Sequence, residues 1–235
     1  MLFYYLCRLG TEIARNIVMK KLFIAKSVVF PPPPTAARMS GSAVILAEAK
    51  TELVRKSIHF LIALSPGMAA VNYPLTVMVL MAGVVGYTVM EQLRLSGVEV
   101  PLVSTLTSMA SRPRDMGHFV LGPVTLGIGA LLALLLFPSP AACIGLYALA
   151  FGDGFAGLIG KLFGRVRPAF LSGKSIEGSM ACFIAVFVSA WLVSQNYAVS
   201  MIAAITATTV EALPLEDYDN LALPLIVGAV VQLAM

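Results

Sequence analysis

The sequence predicts an all-α integral membrane protein, with about seven transmembrane helices behind an N-terminal amphipathic helix that lies in the membrane interface. Three observations predict it. Of 235 residues, 59% are hydrophobic and only 12% charged, where soluble domains carry about 25%. Mean hydropathy is +0.90. The apolar residues fall into runs long enough for spans, and the basic residues are confined to a few segments between them.

The elements follow in order. Residues 1–50 form an amphipathic arm with a Pro-rich linker, and 51–235 form a polytopic membrane domain. In the arm, Leu2, Leu6, Leu9, Ile13, Ile17, Ile24 and Val28 share one side of a helical wheel, while Arg8, Glu12, Arg15 and Lys26 share the other. Pro31 to Pro34 stop that helix. A second amphipathic stretch, 42–56, leads into a first span at 57–71. Further spans are expected at 75–93, 118–137, 141–159, 179–194, 198–213 and 221–235. Cys7, Cys143 and Cys182 are widely spaced and form no metal-ligand or redox motif.

The turns at 72–74, 138–140 and 195–197 contain no Lys or Arg. All 16 basic residues lie in the N-terminal segment, the loop 94–117 or the segment 160–178. Seven spans put these regions, with the acidic loop 214–220, on one side, which the positive-inside rule makes the cytoplasm. The net charge of +4 therefore reads as a topology signal, and no nucleic-acid partner is expected.

The chemistry concentrates between Gly152 and Gly178. Asp153 is a carboxylate inside an apolar run, which is costly unless it is paired or hydrated. Gly152, Gly154, Gly157 and Gly160 around it allow close approach of backbone or ligand, and Gly157 and Gly160 also suit helix packing. Lys174, Ser175 and Gly178 precede the fifth span, where helix-start N–H groups and the lysine favour a phosphate. Glu177 either ligates Mg²⁺ or orients Lys174. Lys161 adds a further cation, and Arg165 and Arg167 are either phosphate ligands or topology signals.

Glu211, Asp219 and Asn220 stand at one membrane edge and with Asp153 offer oxygens for a hard cation such as Mg²⁺. Asp219 also suits an N-cap. Arg94 with Glu91, and Arg112 with Asp115, form either structural ion pairs or phosphate contacts. Arg55, Lys56 and His59 stand at the entry of the first span, where His59 suits a satisfied interface histidine. Acidic groups for a metal and basic groups for phosphates suit phosphoryl or nucleotidyl transfer at a lipid head group.

These residues, in this order, resemble the family of CTP-dependent lipid kinases, which includes dolichol, phytol and yeast-type diacylglycerol kinases. The resemblance rests on Gly152-Asp153, Lys174-Ser175-x-Glu177-Gly178, Glu211, and Asp219-Asn220 followed by Pro224. Arg55-Lys56 with His59, and Glu91 with Arg94, resemble its earlier marks, while Arg112 to Asp115 follows the expected Arg-x-x-Glu only loosely. It covers about residues 50–235 and leaves the N-terminal arm outside.

The resemblance implies transfer of the γ-phosphate of CTP to a membrane lipid alcohol, aided by a divalent cation. Asp153, Lys174 and Glu177 would be catalytic. Gly152, Gly154, Lys161, Lys174, Ser175, Gly178, Arg94 and Arg112 would contact nucleotide. Asp153, Glu177, Glu211, Asp219 and Asn220 would serve the metal. A phosphatidate cytidylyltransferase is the main alternative, but that family's Gly-His-Gly-Gly segment is missing from the sequence. An anion or lipid transporter is a third, though transporter sites lie near the bilayer midplane rather than at one edge.

Overall fold

The protein is described here from a computed structural model, which covers residues 41–98, 101, 107, 117–168, 171 and 173–235. The N-terminal arm up to residue 40 and the loop carrying Arg112 and Asp115 lie outside the described residues. Ile45–Met235 forms one compact unit. Among the described residues the regular structure is helical: α1 (Gly41–Ile62), α2 (Ser65–Val71), α3 (Tyr73–Leu95), α4 (Gly122–Leu136), α5 (Ala141–Tyr147), a π-helical turn (Ala148–Asp153), α6 (Gly154–Leu162), α7 (Ile176–Ser194), α8 (Tyr197–Ala212) and α9 (Asp219–Ala234).

The breaks have local causes. The expected span 57–71 is divided after Ile62, because Pro66 in the first turn of α2 has no N–H to continue the α1 ladder. Ser65 Oγ donates to the Ile62 carbonyl at 2.7 Å across that break. Asn72 starts α3 by accepting the Leu75 N–H at 3.0 Å, with Pro74 in the first turn. Asn196 caps α8 in the same way, accepting from Ala198 and Val199.

Among the described residues, three helical segments are long and apolar enough to cross a membrane: Tyr73–Leu95, Ala141–Leu162 and Ile176–Ser194. α4, α8 and α9 are shorter apolar helices. The surface of α3 is inverted relative to a soluble protein. Its buried residues include Thr76 and Glu91, while Met78, Val79, Met81, Val85 and Val89 face outward. Such a continuous exposed apolar face belongs against lipid.

The segment Ala141–Leu162 is the central one, with 61% of its apolar window buried against 6% for α3 and 22% for α7. α7, α8 and α9 pack against one another in sequence, α5 packs on α9, and α6 and the π turn pack on α7. Small residues allow these approaches: a Cβ on Gly145 would lie 2.6 Å from the Pro224 carbonyl oxygen. Ile144, Leu149, Val186, Leu223 and Val227 fill the core.

Candidate active site

Asp153 ends the π turn in the middle of the central segment. Such turns are rare and are often found at functional sites. The carboxylate is buried and is met by two side chains from α1. Lys56 Nζ lies 2.5 Å from Asp153 Oδ2, and His59 Nδ1 lies 2.9 Å from the same oxygen. The histidine approach is close but out of hydrogen-bond alignment. Lys56 and His59 are three apart, so one face of α1 delivers both.

A second carboxylate, Glu52, sits one turn back on α1 and is also buried. Its Oε1 takes Arg55 at 2.8 Å and lies 4.0 Å from Lys56 Nζ, while its Oε2 takes Lys161 of α6 at 3.1 Å. Burial pushes its pKa upward, but Arg55, Lys56 and Lys161 outweigh that and hold the carboxyl below the ordinary range. Gly157 makes the crossing possible. A Cβ there would overlap Lys56 Cε and lie 2.8 Å from Glu52 Oε1. Helix packing was the role its spacing suggested; clearance for the lysine is the role its surroundings show.

Lys174 approaches from the segment before α7. Its Nζ lies 3.1 Å from Glu211 Oε1 on α8 and also donates to the Glu211 carbonyl oxygen. Ser179 Oγ lies 3.5 Å from Glu211 Oε2. Asp219, the first residue of α9, lies within electrostatic range of Asp153, Lys56 and Lys174. Residues from α1, the π turn, the α7 entry and the α9 entry therefore share one neighbourhood.

The remaining candidates make the following contacts. Ser175 caps α7, accepting the Gly178 N–H at 3.1 Å. Gly178 lies against α6, where a Cβ would stand 2.8 Å from the Ala156 carbonyl oxygen; one on Gly152 would meet Val186, and one on Gly154 would meet Phe60. The half-buried Glu177 accepts the backbone N–H groups of Arg165 and Val166, at 3.0 and 3.2 Å on Oε1. Arg167 donates to the carbonyls of Gly173 and Gly160 at 2.6 and 2.7 Å. These bonds fold the basic loop back onto α6 and α7.

Arg94 makes a two-point pair with Glu91, both bonds 2.8 Å, and reaches the His118 carbonyl at 3.2 Å. Glu91 is fully buried and also accepts the Val120 N–H at 3.0 Å. Of the two readings open from the sequence, this is the ion pair, pinning α3 to the entry of α4. Asn220 amide nitrogen approaches Thr125 Oγ1 at 3.2 Å and the Gly122 carbonyl at 3.4 Å. Sequence reasoning did not single out Glu52, which lies within the amphipathic stretch 42–56.

A groove of about 740 Å³ runs between the central segment and α7. Phe151, Phe155 and Ile159 form one wall, Met180, Ile184 and Val188 the other, and Glu177 lies at one end. Phe155 also packs against Phe60 at a tilt, with ring centres 5.1 Å apart and planes 53° apart, beside His59.

Among the described residues no three His, Cys, Asp or Glu side chains converge into a ready-made metal cage. Mg²⁺ rarely uses one: it takes one or two carboxylates and completes its shell with water and substrate phosphates. Asp153 and Asp219 fit that donor pattern.

Buried acid–base pairs among apolar helices, with an apolar groove beside them, mark a helical protein with candidate membrane spans and a charged site in its interior. Comparison with known proteins narrows the class. The chain is 32% identical over 138 residues to the probable chloroplastic phytol kinase of Triticum aestivum, covering 51% of this chain and 46% of that protein. It is 27% identical over 152 residues to phytol kinase 1 of Arabidopsis thaliana, 57% of this chain and 50% of that one. It is 28% identical over 142 residues to the CTP-dependent diacylglycerol kinase 1 of Eremothecium gossypii, covering 57% and 44%. These relatives are named as phytol kinases and a CTP-dependent diacylglycerol kinase, and the similarity is to them over about half of each chain. The chain spans about half the length of the curated relatives it matches. No protein-family model and no solved structure matches it.

Proposed function

We propose that this protein transfers the γ-phosphoryl group of CTP to the hydroxyl of a membrane lipid alcohol, of polyprenol, phytol-like or diacylglycerol type. The observation that carries the reading is the buried Asp153 met by Lys56 at 2.5 Å and His59 at 2.9 Å, with Lys174 paired to Glu211 at 3.1 Å and Asp219 within electrostatic range of Asp153, Lys56 and Lys174. The kinase relatives agree with it. The cytidylyltransferase and transporter readings gain nothing from either.

Phosphoryl transfer asks a protein mainly for positioning and for charge aimed at the phosphates. Lys174, half-exposed and held by Glu211, is the cation that reaches nucleotide phosphates. Lys56 and His59 both engage Asp153 Oδ2, so we assign Oδ1 to the lipid hydroxyl. The hydroxyl oxygen bonds to the γ-phosphorus as the bond to the bridging β,γ-oxygen breaks. The proton passes to Asp153 and CDP leaves. Asp219, together with water and the nucleotide phosphates, would hold Mg²⁺, which would neutralise charge on the phosphates; Asp153 would join it only if it served as ligand instead of base. The groove beside Phe151 and Phe155 offers the acceptor's hydrocarbon chain a place within the bilayer.

The full reading is a multi-pass protein of about seven spans with an interfacial N-terminal helix, its site facing the cytoplasm by the positive-inside rule. The test is purified protein given CTP, Mg²⁺ and, separately, phytol, a polyprenol and a diacylglycerol, with lipid products read by mass spectrometry. A lipid monophosphate from one acceptor supports the reading. No lipid monophosphate from any acceptor refutes it.

A further inference from the structure

Glu52 is a buried carboxylate ion-paired to three cations, and neither the reaction above nor the motif residues account for it. It is buried, and three cations surround it: Arg55 at 2.8 Å, Lys161 at 3.1 Å and Lys56 at 4.0 Å. Arg55 and Lys56 come from its own helix, and Lys161 comes from α6. Gly157 on α6 leaves the space through which Lys56 passes. Lys56 itself is buried and ends on Asp153. The chain of contacts therefore runs from Lys161, whose side chain is 43% exposed, through Glu52 and Lys56 to the buried Asp153.

A long lysine side chain has several rotamers and forms ion pairs of little directional preference. Asp153 alone fixes only its tip. Glu52 Oε1 places a second negative charge 4.0 Å from the same nitrogen, and its Oε2 ties α1 to α6 through Lys161. We propose that Glu52 is a positioning residue for the phosphoryl-transfer site: it holds the Lys56 ammonium on Asp153 and keeps Lys161 drawn onto the α1–α6 crossing. Resting on the kinase reading, this assigns Glu52 no contact with substrate.

The role separates from a structural one by its kinetic signature. Glu52→Gln removes one negative charge beneath three cations while keeping the side chain's size. Anionic nucleotide should then bind as well as before or better, while the mispositioned Lys56 lowers turnover. The expected result is a fall in kcat of at least tenfold with the KM for CTP unchanged or lower. Glu52→Asp keeps the charge but withdraws it by one methylene, and should recover part of the lost kcat. Wild-type kcat in Glu52→Gln overturns the proposal, as does a raised KM for CTP. Loss of folded protein in both variants assigns Glu52 to stability and also overturns it.

A second readout does not depend on the activity. Full-length wild type and both variants in detergent are acetylated with acetic anhydride, and each lysine is followed by mass spectrometry. Lys56 should be protected in wild type and become labelled in Glu52→Gln, with Lys161 labelling faster. Unchanged protection of Lys56 overturns the proposal. If wild type phosphorylates no lipid yet the labelling shifts as expected, the kinase reading has failed and the positioning of Lys56 by Glu52 has not.

Discussion

Gly157→Ala is the substitution whose effect can be worked out most fully from the structure. The new methyl would overlap Lys56 Cε and stand 3.1 Å from Lys56 Nζ and 2.8 Å from Glu52 Oε1. These are the far ends of side chains, which yield more readily than backbone. The overpacking should therefore fall at the low end of the usual range, about 1 kcal/mol. Alanine's better helix propensity returns about the same amount. Net stability should change by less than about 1 kcal/mol. The movement of Lys56 is the consequence that matters. Its contact with Asp153 is a charge-assisted hydrogen bond, and such bonds contribute about 1.5–3 kcal/mol. If that contribution is expressed in the transition state, turnover falls roughly 10- to 150-fold. The assay is CTP-dependent lipid phosphorylation per mole of folded protein, with thermal unfolding in detergent as the stability readout. Gly67→Ala is the control, because nothing lies within 4 Å of its Cβ position. Wild-type turnover in a folded Gly157→Ala protein would refute the claim that Lys56 must sit where it does.

Other outcomes follow from the same contacts. Asp153→Asn should abolish measurable transfer while the protein remains folded, as judged by gel filtration and helical circular dichroism. Lys174→Ala should raise the KM for CTP about tenfold, the loss expected for one charge-assisted phosphate contact. Arg94→Ala should act on stability instead. It strands the fully buried Glu91 and should cost about 3 kcal/mol, seen as a lower melting temperature with the KM for CTP within about twofold of wild type. Glu52 ties acid stability to the site. Its folded pKa lies below the ordinary value of 4.5, so its contribution is present above that value and is lost as pH falls through the lower folded one. Acid titration of Glu52→Gln should show a shallower loss of stability below pH 4.5 than wild type does.

Much of the fold could be read from apolar runs and their punctuation. The runs around 75–93, 179–194 and 198–213 correspond to α3, α7 and α8, because an uninterrupted apolar stretch has few alternatives to a helix. The division of the first stretch after Ile62 follows from Pro66, a single residue that leaves the apolar run itself unbroken. The π turn left no periodic signature, since it changes the register of a single turn.

At the site, the individual residues were legible and their partners were not. Asp153 stood out as a carboxylate in an apolar run, but its partners Lys56 and His59 lie nearly 100 positions earlier and are joined to it only by folding. Glu52 was hidden for the same reason: on an isolated helix it reads as one charge on a polar face. For Arg94 the spacing to Glu91 offered two readings, and burial of Glu91 decided between them. For Glu177, proximity in sequence to Lys174 suggested metal or lysine as partner, whereas the loop's own N–H groups occupy it.

The central claim is that the charges gathered around Asp153 serve phosphoryl transfer from a nucleotide to a lipid. CTP labelled at the γ-phosphate and CTP labelled at the α-phosphate, given in parallel to the purified protein with a lipid alcohol, test it most directly. The expected result is label in the lipid from the γ-position alone. Label in the lipid from the α-position, or from neither, would contradict the account.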